Sequence, residues 1–119
     1  MPKVIFRPNP VPPPFPPPTP SYDTTSTIKL RPHHFLSGDN VDFELPSLNV
    51  PSYDYFYISQ FNPNSSRYDS LSDTIHEQVS QPVSSSFTAE GDSFANNDFE
   101  LSFYSVDNVL VWTIKATRI

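Results

Sequence analysis

Apolar and polar residues alternate along most of this chain with a period of two, which is typical of β-strands with one buried face. The cleanest alternation lies in residues 41–45 and 98–104, where every second residue is apolar. In the second segment, Phe99, Leu101 and Phe103 are predicted to face the core. A short alternation at residues 27–30 and a weaker one at residues 86–89 predict two further strands.

Two segments are apolar on both sides. In residues 108–117, apolar side chains fall on both faces of the predicted strand, which predicts a central strand of the sheet. Residues 53–61 place Tyr53, Tyr55 and Tyr57 on one predicted face, and Phe56 and Ile58 on the other. We expect both faces of this strand to pack against other residues of the protein or against a partner.

The spacing changes to four at Leu71, Ile75 and Val79. Ser70 and Asp73 stand where a helix N-terminal cap would place them. The pattern predicts a short helix near residues 70–79, with a strand at residues 74–79 as the alternative.

Turn-forming residues separate the predicted strands, at positions 37–40, 62–66, 90–92 and 107–108. Six to eight short strands joined by such turns predict an all-β fold, a small antiparallel sandwich or a jelly-roll-like barrel. Roughly a hundred residues lie outside the proline-rich segment, which is enough for one core.

Ten of the fifteen prolines fall in the first twenty positions. Proline fixes φ and lacks an amide hydrogen, so this segment favours an extended polyproline II conformation. We therefore divide the chain into a proline-rich arm, residues 1–22, and a β domain, residues 23–119. The arm is predicted to dock on neighbouring subunits, because a stiff segment loses little entropy on binding.

The arm also contains two ligand-like patterns. Arg7, Pro10 and Pro13 fit the basic PxxP pattern that SH3 domains bind. Residues 15–19 resemble the proline ligands of EVH1 domains, although Thr19 replaces the last proline. The candidate partner-binding residues are Arg7, Pro10, Pro13, Phe15, Pro16, Pro17 and Pro18, together with Tyr53, Tyr55 and Tyr57.

Charge and composition narrow the choice of partners. The net charge is −6 and the seven basic residues are scattered, which argues against nucleic-acid binding. No run approaches the apolar length of a membrane span, and residues 4–6 are too short for the apolar region of a signal peptide. We expect synthesis in the cytoplasm without a signal peptide, followed by incorporation into a virion or another large assembly.

The sequence shows no catalytic pattern. Only Gly38 and Gly91 could provide a glycine-dependent oxyanion turn or phosphate loop. His33 and His34 are adjacent, so in an extended chain they would point to opposite sides and would not share a metal ion. We predict no enzymatic activity, no metal and no cofactor.

These features favour a structural subunit of a larger assembly. An arm attached to a small β domain is the architecture of many virion components, such as minor capsid, penton, cement or fibre-base proteins. The expected partners are other protein subunits, which include copies of this chain. The first alternative is a carbohydrate- or receptor-binding module that uses the tyrosines, and the second is an SH3-ligand adaptor.

Overall fold

The computed structural model describes residues 22–119, with side chains described from Thr25 onward. Seven strands follow one another in this range: β1 (Tyr22–Arg31), β2 (Asn40–Leu45), β3 (Tyr55–Asn62), β4 (Arg67–Ser70), β5 (Val83–Thr88), β6 (Asp98–Tyr104) and β7 (Leu110–Arg118). They form one mixed sheet in the order β4-β3-β6-β7-β1-β2-β5. The all-β prediction is confirmed, and its arm lies outside the described residues except for the backbone of Tyr22.

Strand β1 connects the two halves of the sheet. Its first part pairs with β7, and its last three residues pair with β2. The sheet folds over at β1, so that Phe43 of β2 meets Phe56 of β3 with ring centroids 6.4 Å apart. The two halves enclose one core, as in a sandwich. Its largest fully buried apolar side chains are Phe43, Phe56, Phe99, Phe103, Ile28, Leu30, Ile58, Leu71, Leu101 and Ile114.

The central position predicted for residues 108–117 is confirmed. Strand β7 pairs with β6 on one side and with β1 on the other. The pairing with β1 is parallel, whereas the other strand pairs of the described sheet are antiparallel. A purely antiparallel sandwich was therefore not the right expectation. Parallel neighbours need a long connection, and here strands β2 to β6 provide it.

The predicted helix at residues 70–79 is wrong. Strand β4 ends at Ser70, and the chain then continues in an extended form along the same edge of β3. Leu71 N–H donates to the carbonyl of Ile58, and Ile75 exchanges two hydrogen bonds with Phe56. These bonds replace helical ones. A full strand at residues 74–79 is absent as well, since Ile75 makes only an isolated bridge.

The apolar residues at four-residue spacing in this segment are nevertheless buried. Leu71, Ile75 and Val79 are each less than a tenth exposed, because the extended segment lies across the open edge of the core. Ser70 does not cap a helix, since its hydroxyl donates to the carbonyl of Ser72. No helix long and apolar enough to cross a membrane occurs in residues 22–119.

A buried arginine fixes the loop that precedes β6. The Arg118 guanidinium is 2% exposed and donates to the carbonyl oxygens of His33, Phe94 and Asn96. Burial lowers the pKa of Arg118 from its ordinary value. The fully buried Gln60 amide also donates to Phe94 and Asn96. The start of β6 is thereby held against β3 and β7.

Candidate functional site

The most distinctive surface of the β domain is the outward face of β3, β4, β6 and β7. Phe56 and Ile58 of β3 point into the core, so the alternating residues Tyr55 and Tyr57 point outward. The antiparallel register places Tyr104 of β6 opposite Tyr55. Tyr68 of β4 lies on the same side. We call these four residues, Tyr55, Tyr57, Tyr68 and Tyr104, the tyrosine face.

Three of the four tyrosines pack directly on one another. The rings of Tyr55 and Tyr104 stack with centroids 5.4 Å apart and an interplanar angle of 5°. Tyr57 meets both rings edge to face, at 5.6 and 5.7 Å. All three side chains are half-buried. This packing orders them before any partner is bound.

An exposed apolar margin continues the surface at the β6–β7 turn. The Tyr55 hydroxyl donates to Oδ1 of Asn108 at 2.7 Å, which ties the turn to β3. In and beside this turn, Val106 is 74% exposed, Val109 56% and Leu110 38%. Leu110 pairs with Tyr104 across the strands. Aromatic and aliphatic groups are therefore contiguous at this end of the sheet.

At the other end, Tyr68 belongs to a charged network. Its hydroxyl donates to Asp98 at 2.6 Å and accepts from Nζ of Lys115 at 2.9 Å. Lys115 also contacts Glu100 at 3.0 Å. Burial lowers the pKa of Lys115, but the hydrogen bonds to Tyr68 and Glu100 outweigh it and raise that pKa overall. Burial also raises the pKa of Tyr68, as does its bond to Asp98.

An open groove of about 520 Å³ lies between Tyr57 and Tyr104 on one side and Tyr68 on the other. Hydroxyl groups line it, those of Ser59, Ser70 and Ser102 among them. Glu90 and Glu100 supply the carboxylates. The hydrogen bond that the protonated Glu90 carboxyl donates to Asp73, some burial and the nearby charge of Asp73 raise the pKa of Glu90. The groove thus combines aromatic walls, a hydroxyl floor and an acidic edge.

The structure brings together two of the three tyrosines predicted as site residues. Tyr55 and Tyr57 share the outward face, but Tyr53 does not, and the prediction of a three-residue stripe is wrong in that respect. Tyr53 precedes β3 and packs on the core beside Phe56 and Phe103. Its hydroxyl accepts from the amide of Val79. The chain leaves strand geometry before Tyr55, so alternation cannot be extended back to Tyr53.

Sequence reasoning did not select Tyr68 and Tyr104. Tyr104 continues the alternation of residues 98–104, so its outward direction was available from the sequence. Its pairing with Tyr55 was not. Tyr68 lies two residues before the segment predicted to be a helix, and that prediction overlooked the short strand β4. The predicted arm residues, from Arg7 to Pro18, lie outside the described residues.

The two histidines considered as a metal pair lie in the turn after β1. Their ring centroids are 4.8 Å apart, and the rings meet edge to face. Burial, with the charges of Arg118 and His34, lowers the pKa of His33. Among the described residues, no group of three or more His, Cys, Asp or Glu side chains is placed to hold a metal ion.

Comparison of the chain with protein-family models, curated proteins and solved structures found no match. Functional inference for this chain therefore depends on its own residues and their geometry.

Proposed function

We propose that this chain is a non-enzymatic structural subunit of a larger assembly, and that the tyrosine face contacts a neighbouring protein. The observation that carries the proposal is the difference between the two sides of the sheet. The inner side is closed by the core, whereas the outer side presents ordered, half-buried tyrosines beside exposed Val106 and Val109. Contiguous exposed apolar surface of this kind is typical of protein interfaces.

The packing of the rings favours a protein partner over a sugar. Sugars stack on free ring faces, but Tyr55 and Tyr104 cover one face of each other. The edge of Tyr57 contacts both. The packed rings of Tyr55, Tyr57 and Tyr104 instead form a preorganised surface, so their side chains lose little conformational entropy on binding. Tyrosines of this kind often provide much of the binding energy at protein interfaces.

The proposed assembly is a virion, in which the chain would be a minor capsid, penton, cement or fibre-base component. Two features support this part of the proposal. The first is the proline-rich composition of residues 1–22, which suits an arm laid on a neighbour. The second is the small sandwich-like β domain to which that segment is attached, since many virion components combine an arm with such a domain.

The test is incorporation of variants into the assembly isolated from its natural source. We expect the double variant Tyr57→Ser/Tyr104→Ser to fold but to be incorporated at less than about a tenth of the wild-type level, since each lost aromatic contact weakens binding several-fold. Asp42→Asn, on the outward side of β2, is the surface control and should be incorporated normally. Normal incorporation of the double variant would contradict the proposal.

A carbohydrate- or receptor-binding module is the second candidate, and the groove favours it. Tyr57 and Tyr104 border serine hydroxyls and the carboxylates of Glu90 and Glu100, which are groups that bind sugar hydroxyls. A glycan array would decide between the candidates. Specific glycan binding by the wild-type chain that is lost in Tyr57→Ala would favour this second function, and absence of binding on the array would count against it.

A further inference from the structure

We propose that the groove of the tyrosine face binds the proline-rich segment, residues 7–20, of a second copy of this chain. The inference rests on the proposed function and names the neighbour and the segment involved. Each copy would then carry both the ligand and its receptor surface. Arm exchange of this kind is a head-to-tail contact, which generates rings or filaments.

The chemistry of the groove matches a polyproline ligand. Proline-rich segments dock between aromatic side chains, and their carbonyl oxygens accept hydrogen bonds while proline offers no amide hydrogen in return. The groove supplies the hydrogen-bond donors that a proline-rich ligand lacks. Its walls are tyrosine rings, and the hydroxyls of Ser59 and Ser102 line it as donors, whereas the Ser70 hydroxyl already donates to the carbonyl of Ser72.

The dimensions of the groove also suit an extended chain. Tyr57 and Phe61 lie on the same side of β3, two side-chain repeats apart, and Phe61 packs on Tyr68 at 5.5 Å. Two repeats along a strand span about 13 Å. The serines Ser59 and Ser70 face each other across β3 and β4 between these aromatic rows. A ligand can therefore lie across the strands, with aromatic groups on both sides.

The charges of the segment and of the groove favour one orientation of the bound segment. Residues 7–20 carry one charged residue, Arg7, and it stands at the N-terminal end of the proline run. On the groove, Lys115 already pairs with Glu100, and Tyr68 already bonds Asp98. Glu90 and Asp73 form the remaining acidic pair, and the charge of Asp73 disfavours the charged form of Glu90. A guanidinium placed beside them would relieve that repulsion.

The direction of β1 points to a second copy rather than to the same molecule. Tyr22 lies beside Ile114 of β7, and the two strands are parallel. In the described part of β1 the chain runs from Tyr22 to Arg31 in the same direction as β7. The sequence of residues 7–18 favours a stiff rod of roughly 37 Å, whereas the five strands of this half of the sheet are only about 19 Å across. Folding back onto its own groove would require a reversal within residues 19–21.

Photo-cross-linking of the full chain tests the inference directly. Phe15 would be replaced by p-benzoylphenylalanine, and unlabelled protein would be mixed with an equal amount of ¹⁵N-labelled protein before irradiation. We expect cross-links from position 15 to the peptides that contain Tyr57 or Tyr104, and about half of them should join a labelled to an unlabelled chain. Cross-links only within chains of the same label would overturn the second-copy assignment. Cross-links to another surface would overturn the groove assignment.

Sedimentation velocity of the full chain provides the independent measurement. We expect self-association that an excess of synthetic peptide 7–20 converts to monomer. Tyr57→Ser should weaken self-association about tenfold, and Glu90→Gln about threefold, because they remove an aromatic contact and the charge facing Arg7. Asp42→Asn changes the net charge by the same amount as Glu90→Gln and should have no effect. A wild-type chain that stays monomeric, or self-association that the peptide does not compete, would overturn the inference.

These results separate this inference from the proposed function. If Tyr57→Ser/Tyr104→Ser is excluded from the assembly while position 15 cross-links elsewhere, the tyrosine face binds a different subunit and only the arm-exchange inference fails. If the double variant is incorporated normally and self-association is unchanged, both fail.

Discussion

Tyr55 and Asn108 join β3 to the β6–β7 turn through a hydrogen bond of 2.7 Å from the Tyr55 hydroxyl to Oδ1 of Asn108. Asn108 has a φ of 63°, in the left-handed region that asparagine tolerates and glycine prefers. Its backbone amide also donates to the carbonyl of Ser105, which closes the turn. One residue thus forms the turn and anchors a ring of the tyrosine face.

This relationship predicts a coupled stability effect. Asn108→Gly keeps the backbone conformation but loses the side-chain acceptor, so it should cost about 0.5–1.5 kcal/mol of unfolding free energy. In the background of Tyr55→Phe, which has already lost the donor, the same change should cost nearly nothing. Urea denaturation of the two single variants and the double variant measures the coupling. Additive costs would show that the hydrogen bond contributes nothing to stability.

The two hydroxyls of Tyr53 and Tyr57 should differ sharply in their effect on stability. Tyr53 accepts from the Val79 amide at 2.8 Å and donates to the Glu77 carbonyl. Tyr53→Phe leaves both backbone groups without that partner and should cost about 1–3 kcal/mol. Tyr57→Phe is the matched control. Among residues 25–119 the Tyr57 hydroxyl has only a 3.4 Å contact with Thr74, so this variant should leave unfolding unchanged. Equal costs for the two variants would contradict the assignment of Tyr53 to the core side.

Removal of the Arg118 guanidinium should be among the most destabilising polar substitutions. Arg118→Met removes the guanidinium donor of the His33 carbonyl and leaves the carbonyls of Phe94 and Asn96 with only their bonds from Gln60 among these side-chain donors. We expect a loss of at least about 2 kcal/mol in thermal or urea unfolding. Arg118→Lys should not restore stability, because one ammonium group cannot reach acceptors arranged around a planar fork. Full recovery by lysine would show that only the charge is required.

The acidic pair at the groove predicts how stability depends on pH. The pKa of Glu90 is raised in the folded state, chiefly by the hydrogen bond that its protonated carboxyl donates to Asp73, so the folded state holds a proton that the unfolded state releases. Stability therefore falls as the pH rises from the ordinary pKa of glutamate through the raised one. Glu90→Gln should remove this dependence and stabilise the chain at pH 7 by less than about 1 kcal/mol, because the site is exposed. Thermal unfolding of the wild type and of Glu90→Gln at pH 4–8 measures this dependence, and identical pH profiles of the two proteins would contradict it.

Alternation was sufficient to predict the faces of single strands. Phe99, Leu101 and Phe103 are all fully buried, as the pattern of residues 98–104 predicts. The doubly apolar segment at residues 108–117 likewise indicated its central position. Both predictions depend only on the pleat of a strand, which the residues carry locally.

Pairing between strands is not encoded in that local pattern. The alternation of β1 and β7 is the same for a parallel and an antiparallel neighbour, so the parallel contact could not be foreseen. The groove depends on that missing information, since Ser59 meets Ser70, and Tyr55 meets Tyr104, only through the register. The helix at residues 70–79 failed for a related reason. Burial at Leu71, Ile75 and Val79 arises from contact with β3 and not from a helical face.

The parallel contact between β1 and β7 also determines when this protein can fold. The central pair of the sheet joins the first and the last described strands, so neither has its partner until the ribosome has released β7. Until then β6 lacks one neighbour, and the apolar residues of β7 have no surface on which to pack. We expect the nascent chain to stay open until β7 has left the ribosome and to close its core only then.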